Sequence, residues 1–166
     1  MPATKLAFSS LPARLSTPNF VFGQQADKLE QALADKIRER ARLLFEQSGA
    51  QPGQDEANWL RAESEILRCN MNMQESGTWI SLNAPIPDAS GQGIAIVVRA
   101  TRVLVRAMQD EKERSAGDKE AEIFLAANLA VEVDPRSAVA SFRNHNLHIM
   151  IKKLRRGTVL ANSPSE

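Results

Sequence analysis

The stretch Ala138-Val139-Ala140-Ser141-Phe142-Arg143-Asn144-His145-Asn146-Leu147-His148-Ile149-Met150-Ile151 decides how the chain folds. Apolar and polar residues alternate with a period of two on both sides of Asn144-His145, which is the period of a β-strand with one buried face. Taking Asn144-His145 as a two-residue turn places Phe142 opposite Leu147, Ala140 opposite Ile149 and Ala138 opposite Ile151. The same count places Ser141 opposite His148 and Arg143 opposite Asn146. One register therefore sorts the side chains onto an apolar face and a polar face, and a slip of one residue would mix them. Such a turn needs φ > 0 at both central residues, a region that Asn enters readily and His less so.

Working outward, Ile80, Leu82 and Ala84 alternate with Trp79, Ser81 and Asn83 until Pro85-Ile86-Pro87 ends the strand. Ile94, Ile96 and Val98 precede Val103, Val105 and Ala107, with Ala100-Thr101 as the turn between them. Counting from that turn sets Val98 opposite Val103 and Ile96 opposite Val105. Arg99 and Arg102 flank it as a like-charge pair, an arrangement that requires both to reach solvent. Gln109 to Glu120 reads as a charged loop, and Ile123, Leu125, Ala127, Leu129, Val131 and Val133 as one long strand. No helix intervenes to carry a parallel crossover, so the fold expected is an all-β immunoglobulin-like antiparallel sandwich.

Ahead of it the period is helical. Leu29, Leu33, Ile37, Ala41 and Leu44 or Phe45 recur at three- and four-residue spacing, and Gln47-Ser48-Gly49 supplies the stop. Pro52-Gly53 marks a turn. A second helix starts near Gln54 or Asp55, where the Asp55 and Glu56 carboxylates suit the positive end of the helix dipole. Its stripe is Trp59, Ala62 or Glu63, Ile66 and Leu67. This N-terminal α-helical hairpin has an apolar face that needs a further element or a second copy of the chain. The organisation expected is a flexible N-terminal arm (1–23), the hairpin (24–72), the sandwich (76–154) and a flexible tail (155–166). Prolines 2, 12 and 18 keep the arm from forming a long helix, and Phe8, Leu11, Leu15, Phe20, Val21 and Phe22 make it adhesive.

The composition of the 166 residues is ordinary for a globular protein, with 43% hydrophobic and 25% charged side chains and a formal net charge of +1. That balance offers no global attraction for nucleic acid or an anionic membrane. No apolar run approaches the ~20 residues of a membrane-spanning helix, and no secretory signal is legible. The single Cys69 fits a reducing compartment.

Several of these residues resemble the α-crystallin domain of small heat-shock proteins. Leu129-Ala130-Val131-Glu132-Val133-Asp134-Pro135 resembles that family's Leu-Pro-x-x-Val-Asp-Pro stretch. Ala140 to Leu147 sits where the family has Ala-x-x-x-Asn-Gly-Val-Leu, and Ile149-Met150-Ile151-Lys152-Lys153 at its last strand. Ile96-Val97-Val98 and Arg102-Val103-Leu104-Val105 resemble an earlier hairpin of the domain. His145 replaces the turn Gly, Ala130 and Lys152 replace prolines, and the tail Gly157 to Ala161 has no Ile-x-Ile anchor. The segment from Ile37 through Gly49 to Ile66, with Trp59 and Ala62-Glu63, resembles a bacterial helical-hairpin family of unknown function.

The resemblance implies an ATP-independent chaperone, a holdase, without catalysis or cofactor. It implies a cytoplasmic homo-oligomer, a dimer or larger, whose partners are unfolding proteins rather than nucleic acid or membrane. The candidate client-binding residues are Phe8, Phe20 and Phe22 of the arm, and a groove between the strand carrying Ile94, Ile96 and Val98 and the strand carrying Ala138, Ala140 and Phe142. The alternative is a non-catalytic protein-interaction or co-chaperone-like module that binds one folded partner. His145, His148 and Cys69 lack the spacing of a metal site and the third member of a nucleophilic triad. Gly91-Gln92-Gly93 precedes a strand and offers no helix N-terminus to phosphate. Lys152, Lys153, Arg155 and Arg156 read as a solvated end without interleaved aromatics. Phe142→Ala is expected to cost about 3–5 kcal/mol if that ring is buried.

Overall fold

A computed structural model describes residues 17–68, 71–110 and 122–155. In chain order the elements are β1 (Asn19–Phe20), α1 (Gly23–Gln47), α2 (Asp55–Ile66), β2 (Leu67–Arg68), β3 (Asn72–Glu75) and β4 (Trp79–Pro85). Then come β5 (Ala95–Arg99), β6 (Arg102–Met108), β7 (Glu122–Asn128), a one-turn 3-10 helix (Pro135–Ser137), β8 (Val139–Arg143) and β9 (Asn146–Lys152). The strands form two sheets, one ordered β1-β5-β6-β7-β2 and the other β3-β4-β9-β8. Two helices thus precede a sandwich whose long strands are antiparallel, the architecture expected from the alternation.

The registers follow the turn counts. Phe142 pairs with Leu147, Ala140 with Ile149, Ser141 with His148 and Arg143 with Asn146. Asn144 and His145 both sit at positive φ, 50° and 59°, so His145 accepts the conformation that Gly would adopt more cheaply. Val98 pairs with Val103 and Ile96 with Val105. Between the sheets, Ile80, Leu82, Ile96, Val105, Leu125 and Ile149 are among the side chains that form one buried core.

Four features differ from the expectations. The strand read through Val133 stops at Asn128, because the chain there leaves one sheet for the other. The Leu129 amide donates to the Thr101 carbonyl and the Val133 amide to the Ala100 carbonyl, both at 2.8 Å, so the crossing wraps the β5–β6 turn. Leu129 and Val133 stay in the core, which is why the alternation outlasts the strand. Ala138 ends the 3-10 helix and precedes the β8–β9 ladder, whose last pair is Val139 with Met150. Phe142 is only partly buried. Finally, Arg99 and Arg102 do pair across the turn, but solvent alone does not relieve their repulsion. Arg99 donates from Nε to Glu30 at 3.0 Å and from Nη2 to Asp27 at 2.7 Å. The Glu30 and Asp27 carboxylates, in that order of influence, hold its guanidinium charged beyond its ordinary range.

Those carboxylates belong to α1, and their reach across the sheet shows where the hairpin lies. Leu29, Leu33, Ile37, Leu44, Ala62 and Leu67 pack with Ala95, Val97, Leu104 and Phe124 in a second buried cluster. These last four are the side chains of β5, β6 and β7 that point away from the sandwich core. Three layers result: hairpin, five-stranded sheet, four-stranded sheet. A sheet covered on both faces reads as a continuous apolar run, as Ile94 to Val98 and Ile123-Phe124-Leu125 do. The Lys36 ammonium adds an ion pair to Glu122 at 2.9 Å and lies 5.3 Å from the Phe124 ring centroid.

The chain also enters and leaves the hairpin along the sheet edges. Before α1, β1 pairs parallel with β5 through Asn19–Ala95 and Phe20–Ile96. After α2, β2 pairs parallel with β7 through Leu67–Phe124 and Arg68–Leu125. Residues 19–68 therefore clasp the five-stranded sheet from one edge, over its face, to the other edge.

Phe124, with 2% of its surface exposed, is expected to lose about 3–5 kcal/mol of urea-measured stability on truncation to Ala. Phe142→Ala is expected to lose less, and equal losses would contradict the layer assignment. Arg99→Ala removes an ion pair in which the arginine side chain keeps 42% exposure; solvent screening limits its expected cost to about 1 kcal/mol, shrinking in added salt.

Candidate polypeptide-binding rim

The inward face of the sandwich leaves little of the candidate groove open. Ile94, Ile96 and Val98 are 2%, 0% and 4% exposed, because the β5 side chains on that face meet the opposing sheet. They are core, and a partner reaches them only where the sandwich parts. Ala138, Ala140 and Phe142 on the β8 side are partly buried against the same core. Phe20 joins them there, also partly buried. Phe22, two residues on and at the N-cap of α1, is 54% exposed. Phe8 lies outside the described residues. The structure thus gathers Phe20, Ala138, Ala140 and Phe142 around one core and leaves Phe22 in solvent.

The backbone of β5 carries the more informative geometry. Its free edge is taken by the arm: Asn19 donates to the Ile94 carbonyl and Val21 to the Ile96 carbonyl, each at 2.9 Å. These bonds involve no side chain, so any extended segment with an apolar residue at the Phe20 position meets the same requirements. Sequence reading named Phe20 and Phe22 as adhesive and missed that Asn19-Phe20 is a strand. The signal present was Phe20-Val21-Phe22, three residues of high strand preference shortly after Pro18, but a two-residue strand is too short for periodicity to register.

The other sheet has edges without a covering strand among the described residues. β3 is exposed along its length, with Met73 at its inner side, and the Lys153 ammonium pairs with the Glu75 carboxylate there. β8 forms the opposite edge, and its Val139 is 57% exposed. An edge of this kind offers unpaired backbone groups to another chain.

Polar chemistry is sparse. Ser81 Oγ and His148 Nε2 lie 2.8 Å apart on the outer face of β4 and β9, and the His145 ring meets Phe142 edge-on at 6.3 Å. No group of three His, Cys, Asp or Glu converges among the described residues. A shallow pocket of about 330 Å³ between hairpin and sheet is lined by Leu33, Ile37, Trp59, Leu104, Glu63 and Arg102. No described helix is long and apolar enough to cross a membrane.

A two-residue strand opens without the rest of the sheet. The Val21 amide is therefore expected to exchange with solvent on the order of a hundredfold faster than amides of the β5–β6 ladder. Equal protection would mean that β1 is released only by global unfolding.

Residues 32–68 match a family described as a protein of unknown function, DUF2934. Curated proteins yield no match. Among solved structures, Heat shock protein 16.0 from Schizosaccharomyces pombe is 11% identical, over 64% of this chain and 82% of that one, with a TM-score of 0.47. A small heat-shock protein from Xylella fastidiosa is 15% identical, over 61% and 94%, with a TM-score of 0.42. The rat alpha crystallin domain is 20% identical, over 57% and 96%, with a TM-score of 0.39. The chain is thus similar to a family of unknown function along its helical hairpin and to small heat-shock proteins and an alpha crystallin domain among solved structures.

Proposed function

We propose that the protein is a non-catalytic, ATP-independent holdase that captures extended apolar segments of unfolding proteins. The observation that carries this reading is the pairing of β1 with β5. The edge of the sandwich already holds an extended segment through backbone bonds, with Phe20 packed against the core, and recognition through backbone suits clients of varied sequence. Phe20, Ala138, Ala140 and Phe142 supply the apolar rim, and Phe22 with Phe8 of the arm a second contact. Ile94, Ile96 and Val98 become available where β1 and the rim open. Assembly into a cytoplasmic homo-oligomer belongs to the same proposal, since exposed edges such as β8 are normally hidden between copies.

The second reading, an interaction module for one folded partner, is favoured by the closure of both edges of the five-stranded sheet within a single chain. The mass of the particle in solution separates the two. A large or polydisperse assembly supports the holdase, and a defined monomer or dimer supports the module.

The direct test is light scattering of a heat-labile client. Full suppression of aggregation near equimolar subunits is expected, and none would reject the holdase. Phe20→Ser removes about 1.5 kcal/mol of apolar burial from β1, which raises the population with a free β5 edge about tenfold. Capture at low chaperone ratios is expected to rise accordingly, and unchanged capture would exclude β5 as the client edge.

A further inference from the structure

The outer face of the four-stranded sheet is the uncovered counterpart of the face beneath the hairpin. Ile80, Leu82, Leu147, Ile149 and Ile151 point into the core, so their neighbours in β4 and β9 point outward. Three apolar side chains lie together there. Met150 is paired with both Ser81 and Val139 across its two neighbouring strands. Trp79, paired with Lys152, stands two residues along β4 from Ser81. Trp79 and Met150 are partly exposed and Val139 is 57% exposed.

Around this centre the side chains of the four strands are neutral or cationic, and the carboxylates nearest in the backbone pairing are Glu132 and Asp134, beside the Lys152 end. Asn83, His148 and Ser141 form the adjacent cross-strand row, and Arg143 and Lys152 bound the face at opposite ends. Across β3, β4, β8 and β9 no carboxylate points outward: Asn72 and Gln74 complete the face, and Glu75 lies on the inner side, paired with Lys153. The hairpin layer is the opposite case. Its Asp27, Glu30, Asp35, Glu39 and Glu65 are all engaged by arginines. Neither Arg143 nor Lys152 has an ion pair among the described residues. Trp, Met and Arg with Asp and Glu depleted is the composition of the centre of a protein interface rather than of an ordinary solvated face.

We infer that this face, centred on Trp79, Met150 and Val139, docks an acidic segment of a partner protein that carries apolar side chains. The apolar residues of that segment cover the central three, and its carboxylates reach Arg143 and Lys152, which have no ion-pair partner among the described residues. Amides and hydroxyls of Asn83, Ser141 and the Ser81–His148 pair supply hydrogen bonds at the rim. The surface is distinct from the β5 edge, so the inference stands apart from the holdase reading.

The test is an NMR titration of the full chain with a twelve-residue peptide alternating Glu or Asp with Leu or Phe. A matched peptide with Lys in place of each acid serves as control. Saturable shifts at Trp79, Ser81, His148 and Val139 with the acidic peptide alone are expected. Arg143→Glu combined with Lys152→Glu, both exposed positions, is expected to weaken that binding about tenfold or more while leaving the urea midpoint unchanged. Binding of the Lys peptide by this double variant would complete the charge swap. No saturable shift, shifts confined to Asn19–Val21 and β5, or equal binding of both peptides would overturn the proposal. So would oligouridine RNA displacing the acidic peptide from the same residues, which would make the face a polyanion site rather than a protein dock.

Discussion

The five-stranded sheet is apolar on both faces, and most of the architecture answers to that constraint. One face is satisfied by the opposing sheet. The other presents Ala95, Val97, Leu104 and Phe124, which left in water would forfeit about 1.5–3 kcal/mol for each large side chain. The helical hairpin removes them from water, and the same packing buries the Leu29, Leu33, Ile37 and Leu44 stripe that α1 could not bury alone. Neither half is complete without the other. Arg99 with Asp27 and Glu30, and Lys36 with Glu122, tie the layers at their margins, where partial exposure keeps each contribution modest.

The clasp also settles how the sheet ends. A strand edge is a template for unwanted pairing, and proteins blunt edges with short strands or coverings. Here both edges of the five-stranded sheet are closed by two-residue strands on either side of the hairpin, so one continuous segment covers a face and two edges. The closures are unequal in context. β2 follows α2 directly, whereas β1 is reached from the arm. The four-stranded sheet has no such cover among the described residues, and its two faces differ as an alternating strand should: one core, one polar with a small apolar centre.

Much of this was legible from residues. The Asn144-His145 and Ala100-Thr101 turns gave the hairpin registers, because a two-residue turn leaves one pairing that keeps faces unmixed. Helix stripe, helix stop and the start of α2 followed from spacing, Gly49 and Asp55. The β7 strand was over-read, since Leu129 and Val133 stay buried while the chain changes sheets, and burial alone sustains a period of two. The rim was half legible. Phe20 and Phe22 were named, but their opposite fates, one against the core and one in solvent, depend on a pairing between residues more than seventy positions apart.

What the sequence by itself determined is local: which residues alternate, where the chain turns, and which helix face is greasy. Val97, Leu104 and Phe124 are apolar at positions that an isolated sandwich would give to solvent, a feature the period-two reading passed over. Only the tertiary structure decided what covers them, because an apolar stripe states a need for burial and not the identity of its partner. The hairpin meets that need within its own chain, and by doing so carries β1 and β2 to the two edges of the sheet.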